Sequence, residues 1–253
     1  MSKTIIITGS SRGIGRAIAL KYASENFNIV INSLKGGEKL ENTLADVKRL
    51  QSEAALKAKE APAGCLALQG DVALPETATA IVGEALKAFG SVDILVNNAG
   101  ISVVGLIQDL SPEDWQRILN TNLSSVHYFS QAVIPDMVSR KNGKIINISS
   151  VWGNVGASCE AAYSATKGGI NTYTKALAKE LAPSGIAVNA IACGAVDTDM
   201  NKCFDLKDLQ DLADEIPAGR LATPEEIADV VYNISLCPSY LTGQVITCDG
   251  GWT

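Results

Sequence analysis

A sevenfold alternation constrains this chain more than any other feature. Short apolar runs rich in β-branched residues recur between long stretches of helical periodicity. They are "TIIIT" at 4–8, "NIVIN" at 28–32, "CLALQ" at 65–69, "VDILV" at 92–96, "KIINIS" at 144–149, "IAVNAIA" at 186–192 and "QVITC" at 244–248. Most are nearly continuous in apolar residues, as strands buried on both faces of a parallel sheet must be. Strand–helix alternation over the whole length predicts an α/β fold, a doubly wound parallel sheet of about seven strands with helices on both faces.

Two helices announce their starts. "SPEDW" at 111–115 and "TPEEI" at 223–227 each supply an N-cap hydroxyl, Pro at the first helical position and acids where the helix dipole favours them. No Pro/Ser linker or low-complexity run divides the chain, and 47% apolar content over 253 residues suffices for one large core. Residues 1–253 are therefore read as a single domain. Its one long interruption, at about 198–223, is helical and acidic and reads as a lid over the cleft beyond the strand ends.

A formal net charge of −6 without any Lys/Arg block argues against nucleic acid as a partner. Six scattered cysteines form no CxxC pair, and His127 is the only histidine, so neither a metal site nor a disulfide framework is expected. The apolar run at the N-terminus is too short for a signal peptide, and no stretch reaches the roughly 18 apolar residues of a membrane span. The expectation is a cytoplasmic protein that makes no membrane contact.

"TGSSRGIG" at 8–15 follows the first strand and opens a helix. Gly9, Gly13 and Gly15 let a phosphate approach the backbone, and the helix N-terminus offers N–H groups and positive dipole charge. The second strand distinguishes the dinucleotides. NAD sites usually end it with an acid for the ribose 2′-OH, but here it ends "INSLK" with no acid before Glu38. Arg12 and Lys35 would instead attract a 2′-phosphate, so NADP(H) is expected. Ser11, Ile14 and Ser33 belong to the same candidate nucleotide surface. "GDV" at 70–72 places a carboxylate where an adenine amine could donate, and "NNAG" at 97–100 supplies a small-residue turn.

Ser150 ends the fifth strand and so projects into the crevice that holds ligands in doubly wound sheets. Tyr163 and Lys167 follow on one helical face. A phenol of pKa about 10 is a poor acid at neutral pH unless its phenolate is stabilised, which a neighbouring ammonium can do. Tyr163 could then protonate a carbonyl oxygen held by Ser150 as hydride reaches the carbon. A non-catalytic dinucleotide-binding regulatory module is the alternative from another class, and the joint presence of these groups separates the two. Trp152, Cys159 and Glu160 lie between the serine and the tyrosine and are candidate substrate contacts. His127, Trp115 and Tyr128 are read as packing or surface residues.

"TGSSRGIG", "GDV", "NNAG", Asn122 in "NTNLSSV", Ser150, "YSATK" and "VNAIACGAVDTDM" occur in this order across essentially the whole chain and resemble the short-chain dehydrogenase/reductase family. The resemblance implies a Rossmann-type fold and a catalytic tetrad of Asn122, Ser150, Tyr163 and Lys167. Tyr163 would be the acid–base, Ser150 the orienting group, and Lys167 both pKa modulator and ribose ligand. Asn122 would hold a water that relays protons to Lys167. Asp71, Val72, Asn98, Ala99, Gly100, Val196 and Thr198 would line the cofactor.

Within the family, the ending "YLTGQVITCDGGW" resembles bacterial 3-oxoacyl-carrier-protein reductases, which implies NADPH and a homotetramer. Three details depart from that group. Cys193-Gly194 stands where Pro-Gly is usual. Of two basic positions linked to docking the acidic carrier protein, Lys141 is kept and the other is Ser184, which weakens an electrostatic contact. "WGNVGASCE", "LAKELAPSGI" and "ADEIPAGRLA" resemble the elongation factor P 5-aminopentanone reductases, whose ketone is carried on a modified lysine of another protein. Glu160 could attract the amine of such a substrate, or simply stabilise a helix dipole.

Overall fold

In a computed structural model, which describes residues 2–201 and 205–253, all seven runs form strands. The chain runs β1 (Thr4–Ile7), α1 (Gly13–Ala23), β2 (Asn28–Ser33), α2 (Glu38–Ala58), β3 (Cys65–Gln69), α3 (Pro75–Phe89) and β4 (Ile94–Asn97). Then come α4 (Pro112–Leu119), a π-helical turn (Asn120–Ser124), α5 (Ser125–Arg140), β5 (Gly143–Ser150), the short α6 (Trp152–Val155) and α7 (Ala161–Leu181). β6 (Ile186–Cys193), α8 (Leu206–Glu215), α9 (Pro224–Leu236) and β7 (Val245–Cys248) complete it.

The strands lie in the order β3-β2-β1-β4-β5-β6-β7, and every neighbouring pair is parallel. Winding reverses between β1 and β4, so the crevice opens at their carboxyl ends. The continuous apolar runs are explained by the two faces they serve. Ile5, Ile7, Ile29 and Ile31 pack with Ile18, Tyr22 and Ile227 on one side. Ile6, Val30 and Leu95 pack with Ile81, Phe129 and Leu177 on the other. Each fully buried aliphatic of this kind stabilises the fold by about 1.5–3 kcal/mol.

Both expected helix starts are observed. Ser111 accepts from the Asp114 N–H at 3.0 Å. Thr223 accepts from the Glu226 N–H at 3.2 Å, and Glu226 accepts in turn from the Thr223 N–H at 2.8 Å, a reciprocal capping box. One strand begins later than its apolar run suggests. The run at 92–96 becomes β4 only from Ile94, and Val92 donates its N–H to the Asp136 side chain at 3.0 Å instead of to a strand.

The interruption after β6 opens with a short 3-10 turn (Asp199–Asn201) and continues, beyond 202–204, as α8 behind an Asp205 capping box. Residues 202–204, with Cys203, lie outside the described residues. Val196 and Ala222 pair as an isolated parallel bridge that holds the two ends of this segment together. Among the described residues, no helix is long and apolar enough to cross a membrane.

Candidate active site

The Gly-rich turn is tied to the turn after β4 by a dense set of bonds. Asn98 donates its side-chain amide to the carbonyls of Thr8 and Gly9 at 2.9 and 3.0 Å. The Thr8 hydroxyl accepts from the N–H groups of Asn98 and Ala99, both at 3.0 Å. Two glycines make this closeness feasible. Gly9 has φ +63°, and a Cβ there would lie 2.8 Å from the Ala99 Cα. A Cβ on Gly15 would lie 2.5 Å from both the Asn98 amide nitrogen and the Gly9 carbonyl. Any side chain at either position would push the two turns apart.

α1 starts immediately after, with Arg12 as N-cap, no side-chain cap and no acid in its first turn. Its leading N–H groups and dipole are therefore open to an anion. Gly13 faces Thr198, whose Cγ2 would be 3.5 Å from a Cβ on that glycine. A cavity of about 500 Å³ lies alongside, lined by Arg12, Gly13, Thr198 and Asp199 among others. An uncapped helix start, a cradle that lacks side chains and a roomy groove fit the diphosphate of a dinucleotide.

The structure brings the other nucleotide-side candidates to the same edge. The Ser11 hydroxyl donates to that of Ser33 at 3.1 Å. Asn32 donates to the carbonyls of Leu68 and Gly70 at 3.2 and 3.1 Å, joining the ends of β2 and β3. Asp71 beside them accepts from the Ala73 N–H at 2.9 Å, and Val72 is buried. The cation that converges with Arg12, however, is Lys39. The Arg12 guanidinium and the Lys39 ammonium meet the same oxygen of Asp199, at 3.0 and 3.2 Å. Lys35 is exposed in the loop before α2. Lys39 precedes Thr43 by one helical turn and so shares its face of α2. Thr43 packs toward the Gly-rich turn, where its hydroxyl donates to the Ser11 carbonyl at 3.3 Å.

At the chemical end, Ser150 closes β5, accepts from the Trp152 N–H at 3.2 Å and stands close enough to Tyr163 to lower its pKa. Tyr163 and Lys167 occupy successive turns near the start of α7, and the Lys167 ammonium lies 5.3 Å from the Tyr163 ring centre. That ammonium donates to the Ile148 carbonyl at 2.8 Å. Burial holds the Tyr163 phenol well above its usual range, with Cys193 and Glu160 pushing the same way and the Ser150 hydrogen bond opposing. Burial lowers the Lys167 ammonium to about 8, against an opposing contribution from Cys193. Desolvation is the largest influence on this phenol and runs opposite to the lowering that a charged Lys167 would give. Tyr163 is thus held protonated, and giving its proton away requires the phenolate to be stabilised by the neighbouring Lys167 charge.

Asn122 sits in the π-helical turn and is completely buried. Its Oδ1 accepts from the Ile101 N–H at 2.8 Å, while its amide donates to the Ile101 carbonyl at 2.9 Å and to Thr166 at 3.2 Å. Gly100 lies beneath, and a Cβ there would come within 3.5 Å of Asn122 Oδ1 and 3.7 Å of the Lys167 ammonium. Asn122 and Lys167 thus face one small space over Gly100, and the Tyr163 ring lies beside the same ammonium.

The substrate-side candidates diverge. Glu160 precedes α7, is half-buried and accepts a short hydrogen bond from the Ser102 hydroxyl. Cys159 adopts a left-handed φ of +62°, unusual for a side-chain-bearing residue, and its carbonyl accepts from the Gly105 N–H at 2.8 Å. These contacts close the 102–105 loop against 157–160. Trp152 packs edge-on against Trp252 at 4.8 Å, a partner that sequence spacing gave no means of finding. His127 contacts the Tyr173 hydroxyl at 3.4 Å on the outer face of α5 and α7, away from the chemistry.

Comparisons with known proteins agree with this geometry. A family model described as short chain dehydrogenase matches residues 3–208. An uncharacterized oxidoreductase of Bacillus subtilis, YmfI, is 37% identical over 256 residues, spanning 100% of this chain and 99% of its own. The 3-oxoacyl-[acyl-carrier-protein] reductase FabG of Staphylococcus epidermidis is 37% identical over 254 residues, 99% of each chain. Among solved structures, a mutant of a Serratia marcescens short-chain dehydrogenase/reductase superposes with TM-score 0.88 at 31% identity, covering 99% of this chain and 97% of that one.

Proposed function

The chain belongs to the short-chain dehydrogenase family of nicotinamide-dependent oxidoreductases, and from that premise we propose that it uses NADPH to reduce a ketone to a secondary alcohol, in the manner of a 3-oxoacyl-carrier-protein reductase. The observation that carries this reading is the arrangement of Ser150, Tyr163 and Lys167: a protonated phenol beside a strand-end serine, its ring over a buried ammonium. Gly9, Gly13 and Gly15 would hold a dinucleotide along the Gly-rich turn, where it would supply the hydride. Ser150 holds the carbonyl oxygen of the substrate and Tyr163 donates its proton to it. The phenolate left behind is stabilised by the Lys167 charge in a site of low dielectric. A water in the space above Gly100, between Asn122 and Lys167, would return the proton, with Asn122 as the group that positions it.

NADPH is favoured over NADH by the convergence of Arg12 and Lys39 and by the absence of an acid at the end of β2. The acidic segment at about 198–223 would cover the bound substrate. An acidic carrier protein would approach the edge where Lys141 and Ser184 come together. These positions adjoin in the fold, since a Cβ on Gly185 would lie 2.9 Å from the Lys141 carbonyl oxygen. Cytoplasmic location and a homotetramer complete the proposal.

A second reading, reduction of an aminoketone borne on a protein lysine, is favoured by one observation. The Glu160 carboxylate stands close enough to Tyr163 to raise its pKa, and an ammonium on the substrate could pair with it there. An NADPH-oxidation assay with an acetoacetyl thioester, a small aminoketone and simple ketones tests both. The first reading expects the highest kcat/KM with the thioester. A clear preference for the aminoketone would replace it with the second, and no turnover of any ketone would overturn both.

A further inference from the structure

We infer that Asp199 is a built-in competitor for the 2′-phosphate of the cofactor, held on the two cations that this phosphate would need. The inference rests on the NADPH reading above. Arg12 and Lys39 come from different elements, the N-cap of α1 and the first turn of α2, and they straddle a single carboxylate oxygen of Asp199. Two cations sharing one oxygen are spaced to be bridged equally by oxygens of a phosphate. Arg16 lines the same cavity but is engaged elsewhere, paired with Asp46 at 2.6 Å. Arg12 and Lys39 are thus a pair placed to meet the phosphate, and Asp199 occupies it.

A carboxylate and a phosphate repel each other, so they cannot share this pair without loss. Side-chain exposures of 61% for Arg12 and 66% for Lys39 keep both ion pairs screened and exchangeable, whereas Asp199 is 25% exposed. A 2′-phosphate must displace the Asp199 carboxylate, while a dinucleotide with a free 2′-OH leaves it in place. Asp199 therefore weakens NADPH binding selectively. It also follows Thr198, which faces Gly13 across the Gly-rich turn, so the displaced carboxylate belongs to the segment that flanks the cradle.

Equilibrium binding of NADPH, NADH and adenosine 2′,5′-bisphosphate to wild type, Asp199→Asn, Lys39→Met and the double variant tests this. Asp199→Asn should tighten NADPH and the bisphosphate by about three- to tenfold at low salt, leave NADH within about twofold, and lose most of the gain at high salt. Lys39→Met should weaken the two phosphate-bearing ligands alone, and Asp199→Asn should gain less in its background. If Asp199→Asn instead weakens the bisphosphate, or shifts NADPH and NADH equally, the inference is overturned and Asp199 merely positions the cations. Equal affinity of wild type for NADPH and NADH would overturn the cofactor reading alone, because the bisphosphate still reports the competition.

Discussion

The ammonium of Lys167 donates to the backbone carbonyl of Ile148 at 2.8 Å from a side chain that is only 3% exposed. One neutral acceptor replaces the water that such a charge would otherwise hold, and the lowered pKa records the deficit. A fall from 10.5 to about 8 amounts to about 3 kcal/mol. A group depressed in this way opposes folding fully at pH values below the folded pKa, and the penalty fades as pH climbs toward the unfolded one. Lys167→Met should therefore abolish turnover yet raise unfolding free energy by about 1–3 kcal/mol at pH 7, net of the lost hydrogen bond. The gain should vanish as pH approaches 10.5. Denaturant melts of both proteins across that range measure it, and a variant less stable at pH 7 would contradict the account.

The same titration should appear in catalysis. Loss of the Lys167 proton removes the charge that stabilises the Tyr163 phenolate, so the rate of ketone reduction should decline above about pH 8 in the free enzyme. The pH profile of kcat/KM checks this, and a profile flat to pH 10 would show that Lys167 acts otherwise.

Tyr163→Phe keeps the ring and deletes the proton donor. NADPH affinity should stay within about twofold of wild type while kcat falls by at least roughly a hundredfold. Fluorescence titration and steady-state kinetics separate the two quantities. Turnover surviving in this variant would remove the assigned mechanism.

Gly15→Ala should damage the nucleotide turn without touching the tetrad. The added Cβ would meet both the Asn98 amide and the Gly9 carbonyl at 2.5 Å, so a loss of about 1–3 kcal/mol in stability and a marked rise in NADPH Kd are expected. Thermal melts and titration read these effects together.

Glu160→Gln keeps the hydrogen bond from Ser102 feasible while removing the charge. On the thioester reading, kcat/KM for the acetoacetyl substrate should hold or rise slightly. On the aminoketone reading, kcat/KM for that substrate should drop by about tenfold.

The sheet was legible because a strand buried on both faces has few alternatives: its apolar residues must run continuously, and "TIIIT" splits Ile5 and Ile7 from Ile6 between two cores. Ser150, Tyr163 and Lys167 were legible as one candidate site because they lie close in sequence on one strand end and one helix face, whereas Asn122 came only with the family resemblance. What stayed hidden depended on segments distant in sequence. Lys39 meets Arg12 only through Asp199, and Trp152 finds Trp252 only once β7 is laid beside β6. The sign of the Tyr163 shift was hidden for another reason, since the desolvation of a phenol depends on everything packed around it.

The π-helical turn at Asn120–Ser124 has a consequence for insertion and deletion. Such a turn is an α-helix carrying one surplus residue, so removing a residue from this stretch would splice α4 to α5 as a single regular helix. The splice would improve backbone hydrogen bonding, yet every residue on one side of it would rotate by about 100°. Asn122 would swing away from Ile101 and Thr166. A chain shortened by one residue here should catalyse nothing and also lose stability, because fully buried residues such as Ile118 or Phe129 would turn away from the core. The surplus residue serves packing and site alike.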